Sequence, residues 1–200
     1  MKIFSVFIVL FFCISAVWAD QKAFFDLVKT GTPEQIQTAI DAGEKVNDSD
    51  ATGMTPLMLA AFYNTSPSVV DLLLKNGAKV DDHDKEGRTP LMRAALVNSN
   101  PEVINVLIKA GAKVDDRAKY GDTPLTMAAS FNNPEVITAL IKAGAKINDM
   151  DNFGQTTLIK AAKSEFVNTR TFAQTHPTAQ IVGLRSSFFR YSFHNAAYAP

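Results

Sequence analysis

Apolar positions along this chain recur as two kinds of short block. The first kind is Thr55-Pro-Leu-Met-Leu-Ala-Ala61, Thr89-Pro-Leu-Met-Arg-Ala-Ala95, Thr123-Pro-Leu-Thr-Met-Ala-Ala129 and Thr156-Thr-Leu-Ile-Lys-Ala-Ala162, spaced by 34, 34 and 33 residues. The second runs in register: Asn76-Gly77-Ala-Lys-Val-Asp, Ala110-Gly111-Ala-Lys-Val-Asp and Ala143-Gly144-Ala-Lys-Ile-Asn, with Ala42-Gly43-Glu-Lys-Val-Asn as an earlier copy. Two series sharing one period are the mark of stacked structural repeats.

Each unit reads as helix, break, helix and turn. Proline after threonine opens the first helix where its missing N–H is not needed, and Leu57, Ala60 and Ala61 form one apolar face whose small alanines admit a close neighbour. Ser66-Pro67, Asn100-Pro101 and Asn133-Pro134 each supply an N-cap and a proline start for a second helix. There Val69, Val70, Leu72, Leu73 and Leu74, like Val103, Ile104, Val106, Leu107 and Ile108, are nearly all apolar, which predicts burial between neighbours. Gly77, Gly111 and Gly144 fall where a left-handed cap would end that helix. Polar residues with Gly53, Gly87, Gly121 or Gly154 then turn the chain into the next unit.

This order, with its Thr-Pro-Leu-x-x-Ala-Ala start, resembles the ankyrin repeat, whose usual period is about 33 residues. The resemblance implies an all-α, ankyrin-repeat solenoid of stacked helix-turn-helix units with short hairpin-like turns. It divides residues 20–163 into a capping repeat (20–48), units at 49–82, 83–116 and 117–149, and a partial unit (150–163). In the capping repeat Phe24, Leu27, Ile36, Ala39 and Ile40 are expected to face inward. Three departures stand out. The family's motif histidine is replaced by Met58, Met92, Thr126 and Ile159, so its hydrogen bonding to the neighbouring turn is expected to be missing. An extra residue lengthens the breaks around Asn64 to Ser66 and Asn98 to Asn100. The family's turn aspartate is present as Asp50, Asp84 and Asp151 but replaced by Ala118, which predicts a less well fixed turn.

The ends differ from the repeats. Residues 1–19 read as a secretory signal: Lys2, an apolar run from Ile3 to Ile14, and Val17 and Ala19 at the two positions where a peptidase needs small side chains. The run is short for a membrane span, and Phe12 before Cys13 argues against lipidation. The expectation is therefore a periplasmic or secreted protein beginning at Asp20. Residues 164–200 form an atypical tail, with Phe188, Phe189, Tyr191 and Phe193 close together, that could cap the stack, be disordered or reflect a shifted reading frame.

Composition narrows the classes of function. Apolar residues make up 46% and charged residues 20% of the chain, an ordinary globular balance. The only cysteine would leave with the signal, so a mature chain would have neither disulfide nor thiolate ligand. Twenty basic against twenty acidic side chains provide no overall field to draw nucleic acid or an anionic membrane. Neither nucleic acid nor, once the signal is cleaved, a membrane is expected as a partner.

Catalysis requires a nucleophile with its base, or clustered metal ligands. The sequence offers no such motif and only His83, His176 and His194, so no catalytic residue, cofactor or metal is expected. His83, between Asp82 and Asp84, reads as a solvated turn residue. Asp82-His-Asp84-Lys-Glu86-Gly87 imitates the start of a calcium loop, but the twelfth position, which should be a bidentate glutamate, is Arg93. Asn47-Asp-Ser49 and Asn64-Thr-Ser66 match glycosylation acceptors, and both read as plain turn residues.

The resemblance also implies where a protein partner would bind: a concave face of turn tips and first helices. The family's contact positions fall on Thr52 and Met54, on Lys85, Glu86 and Arg88, on Lys119, Tyr120 and Asp122, and on Asn152, Phe153 and Gln155 in the turns. On the first helices they fall on Phe62 and Tyr63, Leu96 and Val97, and Ser130 and Phe131. Phe62, Leu96 and Phe131 have a competing reading as core, whereas Tyr63, Tyr120 and Phe153 are harder to place inside. The expected function is a non-catalytic, protein-binding scaffold. The alternatives are an accessory or regulatory subunit of an exported enzyme, and a self-associating structural protein whose uncapped C-terminal end pairs with a second copy.

Overall fold

Threonine followed by proline sets the architecture locally. In the computed structural model, which describes residues 22–131 and 134–163, helix α1 covers residues 22–30. It is followed by α2 (Pro33–Asp41), α3 (Pro56–Tyr63), α4 (Pro67–Lys75), α5 (Pro90–Val97), α6 (Pro101–Lys109), α7 (Pro124–Phe131), α8 (Pro134–Lys142) and α9 (Thr157–Lys163). Thr55 and Thr89 hold extended N-cap conformations, and their hydroxyls accept from the N–H groups of Met58 and Met92. Thr32 closes a capping box with Gln35 at the start of α2. The signal and tail segments, 1–19 and 164–200, lie outside the described residues.

Helices of eight or nine residues are marginal alone, so their stability derives from stacking. The first helices α3, α5, α7 and α9 pack side by side in one layer, and α2, α4, α6 and α8 in a second. Leu57, Leu91 and Leu125, with Ala60, Ala61, Ala94, Ala95, Ala128 and Ala129, are completely buried between the layers. Each such leucine contributes about 1.5–3 kcal/mol, and the alanines keep the helices close enough for it to do so.

Several local details depart from the sequence reading. Only one face of each second helix is buried: Val69, Val70 and Leu73 are inside, while Leu72 and Leu74 are half-buried, as are Val106 and Ile108. A two-layer stack covers one side of its outer helices and leaves the other to water. Ser66 occupies the N-cap of α4, but its hydroxyl makes no capping bond. Instead the side chain of Asn64 accepts from the Ser66 N–H at 3.0 Å. Besides the expected Phe24 and Ile36, the capping repeat buries Phe25 and Val28.

Asn64 and Asn98 do more than lengthen a loop. Both are buried, and each side-chain amide donates to two carbonyls of the preceding unit. Asn98 reaches Ala61 at 2.8 Å and Asn64 at 3.0 Å; Asn64 reaches Val28 at 3.2 Å and Gly31 at 3.1 Å. A buried carbonyl without a donor is costly, so this pair of asparagines satisfies the ends of the first helices from one unit to the next. The same burial withdraws Asn64 from the surface a glycosylation acceptor needs. The Asn47 side chain likewise staples units, donating to Gly77 and accepting from Lys79.

The turns form a second seam. The backbone N–H of Lys85 donates to Thr52 at 3.1 Å, Lys119 to Glu86 at 3.0 Å, and Asn152 to Tyr120 at 3.0 Å, so successive tips are hydrogen-bonded in series. Such close approach requires glycine beside it: a Cβ on Gly121, whose φ is +82°, would meet the backbone nitrogen of Asn152 at 2.8 Å.

Candidate functional site

Each turn is tied to its first helix by chemistry that alternates along the stack. At Asp84 one carboxylate oxygen accepts from the N–H groups of Glu86 and Arg88. The other binds Arg93, nine residues on, with Nε at 2.7 Å and a second guanidinium contact. Arg93 thus occupies the place where a calcium loop would have its closing glutamate. At the corresponding positions of the last unit, Asp151 accepts from Phe153 and Gln155 and holds Lys160 at 2.9 Å. Lys160 also pairs with Asp122 of the preceding turn.

Between these two ion pairs the same two positions are Ala118 and Met127, which pack with Met92 and Leu96 in a small apolar cluster. The turn at Ala118 nevertheless closes with the same backbone bonds, Ala118 to Asp122 at 2.9 Å and Gly121 to Ala118 at 2.8 Å. Arg117 then bridges it to the next unit through Gly121, Met150 and Asp149. Loss of the aspartate is offset by this guanidinium and by the apolar pair. At Thr126 the hydroxyl accepts from the Thr123 N–H at 2.9 Å, a bond within its own unit and not the expected histidine bond to the neighbouring turn.

Electrostatics follow the same geometry. Burial alone would raise the carboxyl of Asp151, but the N–H groups of Gln155 and Phe153 and the Lys160 ammonium outweigh it and hold it below the ordinary 3.8. Burial would lower Lys160, but hydrogen bonds and charge from Asp122 and Asp151 raise it above the ordinary 10.5. Asp50 is lowered as well: its N–H and hydroxyl donors at Thr52 and Met54 overcome its burial.

The exposed ends of the first helices and the turn tips make up the face that the family resemblance implies. Arg93, anchored on the Asp84 turn, lies 5.9 Å from the ring centre of Phe62, and Phe62 meets Tyr63 edge-on with centroids 4.6 Å apart. Large apolar side chains on this face stay in water: Tyr63 is 54%, Val97 51%, Phe131 60%, Tyr120 46% and Phe153 69% exposed. Tyr120 and Phe153 stack at 6.3 Å on consecutive tips, with Lys119 over the Tyr120 ring.

Of the remaining family contact positions, Lys85, Lys119 and Asn152 are exposed, and Glu86, Arg88 and Phe62 are half-buried. Asp122 is engaged by Lys160 and Thr126, so its charge is largely spent within the stack. Leu96 is half-buried in the methionine cluster. Met150, exposed beside the last tip, was not legible as part of this face, because its position in the preceding units is occupied by Ser49, His83 and Arg117.

A stack of paired short helices, sealed by serial turns and presenting ends of its first helices and its tips to solvent, defines a helical repeat solenoid. The family described as ankyrin repeats (3 copies) matches residues 24–118 and again 91–172. The chain belongs to the ankyrin-repeat family, whose repeats mediate protein–protein interaction and which are in general non-catalytic scaffolds. A search of curated proteins found no match. Among the described residues, no helix is long and apolar enough to cross a membrane.

Proposed function

We propose that this chain works outside the cytoplasm, in the periplasm or secreted, as a non-catalytic scaffold that grips a protein partner with its first helices and turn tips. The observation that carries the reading is the set of large apolar side chains held in water on that face while their neighbours are buried. A family whose business is protein recognition has no structural use for an exposed, stacked Tyr120–Phe153 pair, and aromatics of this kind are typical interface anchors. Support for export comes from Lys2, the apolar run after it, and the small residues at Val17 and Ala19.

The test is affinity capture from the native compartment, with partners identified by mass spectrometry, using the wild-type chain and Tyr120→Ala/Phe153→Ala. The double variant should lose the partner while keeping its helical circular dichroism, and undiminished capture would remove the proposed surface. Cell fractionation should find the chain outside the cytoplasm and starting at Asp20; a cytoplasmic chain still carrying Met1 would end the export reading.

A second reading has its own observation. The space beside Gly53, Gly87 and Gly121 is filled by the following tip, whereas no described residue lies near Gly154. Among the described residues the seam ends there, which suits a second copy. Light scattering on the full chain and on one ending at Lys163 tests it, and two monomers would dismiss it.

A further inference from the structure

The last of the first helices differs from its predecessors in what covers it. α5 lies between α3 and α7, and α7 between α5 and α9, whereas among the described residues no helix follows α9. The consequence shows at three places that recur with the repeat. Leu57, Leu91 and Leu125 are completely buried, and so are Met58, Met92 and Thr126, and Ala61, Ala95 and Ala129. In α9 the same places are taken by Leu158 and Ile159, both half-buried, and by Ala162, which is exposed. Ala161 beside it is completely buried, like Ala60, Ala94 and Ala128. So α9 is seated on the stack, and its outward face alone lacks cover among the described residues.

Repeat stacks end in units whose outer face is polar. Here the outer face is apolar, with Leu158 and Ala162 one turn apart on it, and contact with water there opposes the burial that stabilises the rest. A second helix of the usual kind does not fit the sequence that follows. Counted from Leu57, Leu91 and Leu125, the first apolar pairs of the second helices, Val69 and Val70, Val103 and Ile104, and Val136 and Ile137, come 11 to 13 residues later. The same count from Leu158 falls on Thr169, Arg170 and Thr171, side chains that are costly to bury. A dense apolar run lies farther on, at Ile181, Val182, Leu184, Phe188 and Phe189.

We propose that residues 181–189 of this same chain fold back onto the outward face of α9 and close the stack in place of a capping repeat. Seventeen residues, 164–180, separate that run from Lys163, and the cost of closing such a loop grows only slowly with its length. A tethered segment also meets the face at a high effective concentration. A free partner or a second copy has no such advantage. A seven-residue helix, about 10.5 Å long, by itself offers far less than the roughly 800 Å² per partner that a stable interface buries. The inference is independent of the binding face above, and it concerns the helix layer and not the seam of tips at Gly154.

Thiol reactivity in the full chain carrying Cys13→Ser tests it. Ala162→Cys should react with a soluble thiol reagent at least about 10-fold more slowly than Ser68→Cys, an exposed site on α4, because covered positions react only on local opening. That protection should stay constant over about two decades of protein concentration. Adding Leu184→Ser/Phe188→Ser/Phe189→Ser should bring Ala162→Cys to within about 3-fold of Ser68→Cys. Ala161→Cys, inside the core, should stay slow with and without the three serines, which separates uncovering from unfolding. An Ala162→Cys chain as reactive as Ser68→Cys, or protection indifferent to the three serines, would overturn the proposal. So would protection that grows with concentration, since a second copy would then be the cover.

Discussion

Gly121 and Gly154 occupy the same place in consecutive turns, with φ of +82° and +71°, yet among the described residues only Gly121 has a neighbour. Alanine at either position accepts left-handed strain of about 1–2 kcal/mol. At Gly121 the added Cβ must also push back the Asn152 backbone that bonds to Tyr120. Gly121→Ala should therefore destabilise the chain by at least about 1 kcal/mol more than Gly154→Ala in urea unfolding; equal losses would mean that the tips are not tightly seamed. Asn98→Ala is a sharper case. It deprives the buried carbonyls of Ala61 and Asn64 of their donor, so a loss of about 2–3 kcal/mol is expected by the same measurement. The glycine turns were legible in the sequence because they recur with the period. The asparagine ladder was not, because an asparagine in a short break has the signature of a solvated turn residue, and only stacking places it under the next unit.

At the scale of the element, the turn and first helix are coupled by a pair of positions that the chain fills with charge at Asp84 and Arg93 and with apolar side chains at Ala118 and Met127, while Asp50 and Leu59 combine a carboxylate with an apolar partner. The first two fillings are self-consistent, one by charge and the other by apolar contact. Breaking a buried pair strands one charge, whereas replacing both partners removes the need for either. Arg93→Met alone should cost about 3 kcal/mol, and adding Asp84→Ala should recover most of that loss. A double-mutant cycle by thermal and urea unfolding measures the coupling. Additive losses would show that the carboxylate matters for its backbone bonds to Glu86 and Arg88 and not for the guanidinium. The helices, their prolines and the threonine caps of the first helices could be read from the chain; the alternation could not, because nine residues of separation mean nothing until the turn folds back on the helix.

For the whole molecule, pH acts most directly on the C-terminal unit. Asp151 is held below its ordinary value, so its contribution is present above that value and is lost as pH falls through the lowered one. Lys160 is raised, so its contribution is full below its ordinary value and lost only as pH climbs through the raised one. The unit that carries Phe153 should therefore loosen at both extremes. Asp151→Ala/Lys160→Met should flatten the fall in melting temperature from about pH 4 to about pH 2 relative to the wild type. An identical fall in both proteins would assign acid sensitivity to other carboxylates.

The order of helices, the places where they start and stop, the leucine and alanine core and the positions of the tips all follow from the chain alone. Each rests on local rules, proline starts, threonine caps, glycine turns and apolar periodicity, repeated in register until chance is excluded. Tertiary structure decided which of the apolar residues at those positions stay wet. Phe62 and Leu96 are half covered while Tyr63, Val97 and Phe131 are exposed, although their sequence surroundings are alike. Solvent exposure depends on what the neighbouring unit brings within reach, Arg93 over Phe62 and the methionine cluster against Leu96, and those contacts join residues that the sequence keeps about one repeat apart or on separate arms of a unit.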